Sequence, residues 1–558
     1  MSAITGIVNL DSAPVQLDLT PDGELWITAD ARIDAREELI AKLPRSPRNQ
    51  NDAELILLAY EVWGEDCVKH LLGDFAFAIW DSRSRRLFCA RDHFGVKPFF
   101  YTRAGDSFTF SNVLNALRQD PGVSDALNET AIGDYLVFGL NQDLSTTTFR
   151  DLQRLPPGHS LTIDNGVMAV RRYWNPDTSK EVRFRDRHSY IERFRELLNR
   201  AVQDRLRGTD RVAVSMSGGL DSTSLAAVAC DSSADVHACT VVYDHLIPDE
   251  ERHYSTVAAN HLGIPISYVV ADRYSLFDEQ VAGDMDQPEP FLLSPLTAQF
   301  HKLLRLCTAH SRVALTGFDG DSFMNEPKQS RLKIRSMLRR MLRKRPQEPV
   351  LPAWIDESFA RRTNLQQRCH EVFSPQRCRD AKEERRPSAM RALDSKVWAP
   401  LFEGYDPGGT KLDLEVRHPF IDVRLVEYLL GIPAAPWCVN KHILRLAMHD
   451  QLPAAVLNRP KTPLAGNLAL QLARHGNVRW LDSFEVNPQL KSFVNLSLRR
   501  PIADELTPDG LWASLRVFAL NYWLTNSQPI DRRTTENQVN KPRVPGLNRL
   551  DTARVGDD

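Results

Sequence analysis

The first 175 residues alternate between short apolar runs and polar breaks. Ile4–Leu10, Glu24–Ile27, Asp74–Ile79, Arg86–Ala90, Phe99–Thr102 and Phe108–Phe110 are apolar or alternating, with clusters of Gly, Asp and Pro between them. Runs of this length predict strands. One stretch departs from the pattern. Ala53, Ile56, Leu57 and Tyr60 recur at helical spacing, so Asp52–Trp63 is predicted as a helix. Asn175–Ser179 reads as a turn. From Arg187 the residues Tyr190, Phe194, Leu197, Leu198, Val202 and Leu206 form an apolar stripe with charges opposite, which predicts an amphipathic helix.

Beyond that helix the pattern changes again. Val212–Met216, Val236–Tyr243, Ile266–Val270 and Arg312–Thr316 read as buried strands. Helical segments fall between them at Thr223–Cys230, Tyr254–His261 and Leu296–His310. Strand–helix alternation at this spacing predicts a doubly wound parallel sheet. Such sheets bind ligands at the carboxyl ends of their strands.

Composition adds limits. The chain has 558 residues, enough for two to four domains at roughly 100–200 residues each. Net charge is -2, which gives no global pointer to nucleic acid. The eight cysteines are scattered without a C-x-x-C pair, so neither a zinc site nor a disulfide framework is predicted. The N-terminus lacks a basic, apolar leader, and no apolar run has transmembrane length. A cytoplasmic protein without membrane insertion is the expectation. After about residue 525 the chain turns polar, and 527–558 reads as a disordered tail. Lys328–Arg345 is a basic helix with Ile334, Leu338, Met341 and Leu342 on one side; it suits a solvated helix packed by its apolar stripe, or else a membrane surface, an acidic peptide or a partner.

The candidate chemistry starts where Val212–Met216 runs into Ser217-Gly218-Gly219-Leu220-Asp221-Ser222. A strand, a Gly-rich turn and a helix N-terminus form a phosphate cradle: glycines admit close approach, and free amides with the helix dipole favour an anion. No Gly-Lys-Ser/Thr follows, so this is not the Walker pattern. The loop resembles the pyrophosphate-binding loop of enzymes that cleave ATP to AMP and pyrophosphate. A second strand-to-turn junction, Leu315-Thr316-Gly317-Phe318-Asp319-Gly320-Asp321-Ser322, belongs on the same sheet edge. Asp221 and Asp321 are the predicted Mg²⁺ ligands, because two carboxylates beside phosphates call for a hard cation. Ser215, Ser217, Gly218, Gly219, Asp221, Ser222, Val241, Gly317 and Asp319 are the predicted nucleotide-binding residues.

Three further clusters extend the pattern: Glu415-Val-Arg417-His418-Pro419-Phe420-Ile-Asp422, Pro436-Trp437-Cys438-Val-Asn-Lys441-His-Ile-Leu444-Arg445, and Arg459-Pro460-Lys461-Thr462-Pro463-Leu464-Ala465-Gly466. In this order they resemble the synthetase domain of asparagine synthetases. Leu71–Asp81 and Leu87–Tyr101 are similar to the central strand pair of that family's glutaminase domain. The resemblance implies a glutaminase-like αββα sandwich of N-terminal-nucleophile type over 1–176. It implies an ATP-binding, PP-loop-type parallel-sheet domain over 186–526.

The first half departs from the family. Ser2 stands where the nucleophilic cysteine belongs, and Thr28–Arg36 replaces the family's Asn-Gly-Glu stretch. The Arg-Gly-Pro-Asp stretch is also missing, and Asp52 is the one match to the amine-binding acid. A degenerate first half combined with Arg417-His-Pro-Phe, Pro436-Trp-Cys and Arg459-Pro-Lys-Thr-Pro-Leu is most similar to the lasso-peptide cyclases. That resemblance implies adenylation of an Asp or Glu side chain in a precursor peptide. The peptide's own amine then attacks, with a leader peptidase and a leader-recognition protein as partners. Lys461 is the implied cation over the leaving group, and Glu403 or Glu415 the base for the amine, with Glu415 equally a structural partner of Arg417. A β-lactam synthetase and an ammonia-dependent asparagine synthetase share the architecture. A non-catalytic peptide-binding protein on the same fold is the reading from another class.

Overall fold

The computed structural model describes residues 4–9, 18–19, 25–48, 51–105, 107–247, 250–278, 287–291, 294–327, 350–373, 386–459, 468–475, 478–505 and 507–526. Ser2, Lys461, the basic segment 328–345 and the tail 527–558 lie outside the described residues.

The first ten strands are β1 Thr5–Asn9, β2 Asp18–Leu19, β3 Leu25–Ile33, β4 Gly73–Asp81, β5 Arg86–Arg91, β6 Phe100–Ala104, β7 Ser107–Ser111, β8 Gln153–Arg154, β9 His159–Asp164 and β10 Val167–Arg172. They make two antiparallel sheets, of order β1-β7-β6-β8 and β10-β9-β5-β4-β3-β2. Strand alternation explains the layering. Ala76, Ala78 and Trp80 of β4 face the other sheet, among Phe99, Phe108 and Phe110. Phe75, Phe77 and Ile79 face the opposite way, onto Ile56, Leu57 and Tyr60 of the Asp52–Trp63 helix. Both faces of β4 are buried, so the strand reads as a continuous apolar run.

The third sheet is parallel, of order β13-β12-β11-β14-β15. Its strands are β11 Arg211–Ser215, β12 Asp235–Val242, β13 Ile266–Val270, β14 Val313–Thr316 and β15 Glu415–Arg417. Val212 and Val214 of β11 pack with the Arg187–Leu206 and Leu220–Asp231 helices. Ala213 packs on Leu304 and Cys307 of the Thr297–Thr308 helix. Helices therefore cover both faces. The strands β11 and β14 are neighbours, with Ser215 level with Thr316, so their two following loops emerge side by side.

Three segments differ from the sequence expectation. Strand β3 runs on to Ile33 and pairs with β4 along its whole length. Asp30 and Arg32 conceal that extension from a hydropathy reading, yet both are buried because their charges are matched: Lys97 Nζ lies 2.9 Å from Asp30, and Arg32 bonds Asp34 at 3.0 Å and Asp74 at 2.6 Å. The β9–β10 hairpin turns at Asn165-Gly166, both in the left-handed region. Finally, the Pro508–Asn526 helix returns to the first half. Leu511, Leu515 and Phe518 share a core with Phe100, Ile132 and Phe149, and Arg516 donates to the carbonyls of Leu136 and Val137.

Buried ion pairs join the two halves. Arg205, 1% exposed, bonds Asp422 at 3.0 Å and Asp34 at 3.4 Å. Removing one member of such a pair strands the other in a low-dielectric interior, at a cost of about 3–5 kcal/mol. Among the described residues no helix is long and apolar enough to cross a membrane.

Candidate active site

A cavity of about 1,730 Å³ opens at the carboxyl ends of β11 and β14. Its floor is the turn between β11 and the Leu220–Asp231 helix. Gly218 has φ 66°, and a Cβ there would stand 2.4 Å from the Ser255 backbone nitrogen. Only glycine fits that combination of left-handed backbone and close approach. The Gly219 N–H donates to Ser217 Oγ at 3.3 Å, and the Ser217 N–H donates to Ser222 Oγ at 3.2 Å. Gly219 is the helix N-cap and supplies no side chain to the first amides, which leaves that end suited to an anion.

The second loop packs directly on the first. A Cβ at Gly317 would lie 2.7 Å from the Ser222 nitrogen, and one at Gly320 would lie 2.9 Å from Asp221 Cγ. These two approaches set Asp221 and Asp321 around a common point, and both line the cavity. The ammonium of Lys441 occupies that point: it bonds Asp221 directly and stands 2.8 Å from Asp321 Oδ1. Burial opposes its charge, but the two carboxylates outweigh burial and raise its pKa. Lys441 and Arg445 were visible as a Lys-x-x-x-Arg pattern, but that pattern gave no spatial pointer to the two aspartates.

Arg459 is the second cation at the site. Its Nη1 donates to the Ser217 carbonyl at 3.1 Å, its Nη2 lies 3.5 Å from Glu251, and its guanidinium covers the Tyr254 ring at 4.4 Å. Arg445 does not point at the loop. It ties down the following segment by donating to the carbonyls of Asn440, Leu457 and Arg459.

The predicted nucleotide residues divide. Ser215, Ser217, Gly219, Asp221, Ser222 and Gly317 line the cavity, while Gly218 turns its Cα toward Tyr254 and Ser255. Val241 does not line the cavity; it packs with Tyr243, Ile247 and Ala271 beyond the β12 end. Asp319 is also set back. It accepts from Ser322 Oγ, and burial, with Asp321 and Asp221 nearby, pushes its carboxyl up to about 6.

Neither candidate base lines this cavity, and of the two expectations for Glu415 the geometry realises the partner of Arg417. Glu403 accepts from Arg154 at 2.8 and 2.9 Å and from Arg91 at 3.2 Å, and it faces a separate cavity of about 110 Å³. Glu415 bonds Arg417 at 2.6 Å and lies 3.9 Å from Lys97. Burial disfavours its charge, but Lys97 and Arg417 prevail and hold the carboxyl well below the usual range. A general base needs a free lone pair at the proton it removes; both carboxylates spend theirs on guanidinium groups. His418, from the same motif, pairs through Nδ1 with Thr316 Oγ1 at 2.8 Å, and Thr316 lines the cavity. Burial, then Arg205 and Arg32, push its pKa down to about 3, so the imidazole is neutral.

In the first half, Asp52 bonds both Arg36 and Arg207, and Arg32 is enclosed by Asp34 and Asp74. The acid thought to match an amine-binding residue is already neutralised by two guanidinium groups.

Among the described residues no group of three or more His, Cys, Asp and Glu gathers around one point. Asp221 and Asp321 alone suit Mg²⁺, which takes one or two carboxylates and completes its shell with water and phosphate oxygens.

Residues 4–174 match a family model described as a glutamine amidotransferase domain, and residues 193–523 match one described as asparagine synthase. The chain is 28% identical over 517 residues to asparagine synthetase [glutamine-hydrolyzing] 3 of Bacillus subtilis, an overlap of 87% of this chain and 81% of that protein. It is 27% identical over 496 residues to asparagine synthetase [glutamine-hydrolyzing] 2 of the same organism, across 80% of this chain and 63% of that protein.

Proposed function

The chain belongs to the asparagine synthase family of ATP-dependent carbon–nitrogen ligases, and from that premise we propose that it closes a macrolactam ring in a precursor peptide. The substrate carboxylate, an Asp or Glu side chain, attacks the α-phosphorus of ATP. Pyrophosphate leaves, and the peptide's N-terminal amine displaces AMP from the acyl-adenylate. This is the reaction class of the lasso-peptide cyclases, and a leader peptidase would supply the free amine.

The loop amides and the charged groups of the cavity have tasks in that scheme. The amides after Ser217 and the N-terminus of the Leu220–Asp231 helix bind the β- and γ-phosphates. Asp221 and Asp321 would hold Mg²⁺, which when bound neutralises phosphate charge. Lys441 and Arg459 stabilise the negative charge that grows on the departing pyrophosphate. Lys461 is assigned the same task from the sequence pattern. The cavity walls hold the peptide against the adenylate and keep out water, which would hydrolyse it.

The observation that carries this reading is the size of the cavity. About 1,730 Å³ exceeds the roughly 300–1,000 Å³ of an ordinary small-ligand pocket, and leaves room for a peptide beside a nucleotide. The ion pairs of the first half support it, since Asp52 and Arg32 are committed to them and the amine then arrives on the substrate. A second reading is an asparagine synthetase, favoured by the names of the relatives; with Asp52 and Arg32 committed to ion pairs, it would take ammonia directly.

The test is incubation of the purified protein with ATP, Mg²⁺ and a leader-free peptide, followed by mass measurement. Loss of one water with release of AMP and pyrophosphate is the expected result. Asparagine formation from aspartate and ammonium, without any change in peptide mass, would favour the second reading.

A further inference from the structure

Lys441 holds the position between Asp221 and Asp321 that a divalent ion would take. Its ammonium bonds both carboxylates, and its side chain is 13% exposed. The backbone is built to keep it there. Asn440 and Lys441 both adopt left-handed conformations, with φ 51° and 55°, which asparagine tolerates and lysine disfavours. Surrounding bonds impose that shape. The Lys441 N–H donates to the Met324 carbonyl at 2.9 Å, the Arg445 N–H donates to the Lys441 carbonyl at 3.0 Å, and Arg445 Nε donates to the Asn440 carbonyl at 3.0 Å. Strain kept in place by several independent contacts marks a position whose geometry serves function.

Charge explains what the geometry achieves. Two adjacent carboxylates alone would attract a free divalent ion. With an ammonium bonded to both, their net charge is halved and one oxygen of each, Asp221 Oδ2 and Asp321 Oδ1, is engaged. A triphosphate changes this balance, since it gives the ammonium oxygen atoms to bind. A lysine head group is a compact charge on a flexible stem, with three donors that reorient easily. It can leave the carboxylates for a phosphate while its backbone stays fixed.

We infer that Lys441 is a resident counter-cation that bars divalent metal from Asp221 and Asp321 until nucleotide phosphates draw it away, so that metal and nucleotide enter together. The inference rests on the ATP reading above and adds an order of events to it. The device keeps the loop pair assembled before substrate arrives, because the mutual repulsion of the two carboxylates is cancelled throughout.

The experiment uses the full chain, with Mn²⁺ as probe and its electron paramagnetic resonance signal as readout. Wild type with Mn²⁺ alone should leave the free-ion signal undiminished, and adding α,β-methylene-ATP should quench it further than the analogue does without protein. Lys441→Met should bind Mn²⁺ without nucleotide about tenfold tighter or more than wild type, a difference of about 1.4 kcal/mol. Lys441→Arg, which keeps the charge, should behave as wild type. Equal Mn²⁺ affinity in wild type and Lys441→Met, with no nucleotide present, overturns the inference. If the Met variant does not fold, wild type decides alone: binding Mn²⁺ as tightly without the analogue as with it overturns the inference. Absence of analogue binding under every condition overturns the ATP reading beneath it, a result separable from the others.

Discussion

Arg459 donates to the carbonyl oxygen of Ser217 across 3.1 Å, which ties a segment of the last motif to the first residue of the pyrophosphate loop. The same guanidinium covers Tyr254, the residue behind Gly218. A charge-assisted bond of this kind is worth about 1.5–3 kcal/mol. Arg459→Ala should therefore raise KM for ATP by about ten- to a hundredfold. ATP–pyrophosphate exchange measures it. Arg459→Lys should recover little, because an ammonium cannot bond the carbonyl and cover the ring together. An unchanged KM in both variants would remove Arg459 from the nucleotide site.

Gly218 is where the loop tolerates no side chain. Alanine there meets two costs: a left-handed backbone, worth about 1–2 kcal/mol, and a Cβ 2.4 Å from the Ser255 nitrogen. The loop must shift to accept it. Gly218→Ala should lose nucleotide binding by calorimetry and melt at lower temperature than wild type. Full nucleotide affinity would mean that the turn does not touch phosphate.

Asp321 is expected to matter for chemistry more than for folding. Its side chain is 37% exposed at the cavity, so Asp321→Asn leaves no deeply buried orphan. The variant should fold normally by circular dichroism and form no AMP above background. AMP formation at the wild-type rate would refute its assignment to the metal.

Glu403 is expected to behave in the opposite way. It neutralises Arg91, which is fully buried, and Arg154, whose side chain is 4% exposed. Glu403→Ala strands Arg91, leaves Arg154 with Glu289 alone, and should cost about 3–5 kcal/mol of stability. Activity per folded molecule should stay near wild type, measured below the lowered melting temperature. Loss of turnover with stability intact would return Glu403 to the role of base.

The parts of the fold that the sequence made legible are those where one residue pattern maps to one local structure. The Asp52–Trp63 and Arg187–Leu206 helices carry an unbroken apolar stripe, and their bounds follow from it. The Gly218 turn was legible because a strand, two glycines and a small-residue helix meet there. What stayed hidden depends on charges meeting at a distance. The extension of β3 through Asp30 and Arg32 makes sense only when Lys97 and Asp74 are in place to bury them. Lys441 reaches Asp221 from 220 positions later in the chain, and no periodicity encodes that. Glu403 looked like a base because a carboxylate in a motif carries no mark of a distant partner, and the guanidinium groups that bind it decide otherwise. Glu415 has its partner two residues away in the same motif, so its pairing with Arg417 was legible.

His418 and Thr316 give a pH-dependent prediction. The imidazole is buried and neutral, and burial lowers its pKa from 6.5 to about 3. Below pH 6.5 the unfolded chain therefore takes up a proton that the folded chain refuses. Stability from this group is complete above pH 6.5 and declines as pH falls toward 3. The slope is about 1.4 kcal/mol per pH unit once the unfolded histidine is charged. His93, lowered to about 4 by burial, acts in the same sense. Asp92, Asp319 and Asp406, each raised to about 6 chiefly by burial, act in the opposite sense between pH 6 and 4. The total stability curve therefore cannot isolate His418, whereas a difference between two proteins can. His418→Asn keeps a polar atom for Thr316 Oγ1 and removes the titrating ring. The difference in urea unfolding free energy between wild type and this variant should be largest at pH 7.5. It should be smaller at pH 6 and smaller again at pH 5, because only wild type carries this penalty. A difference that stays constant across those three values would mean that His418 is not held neutral by its surroundings.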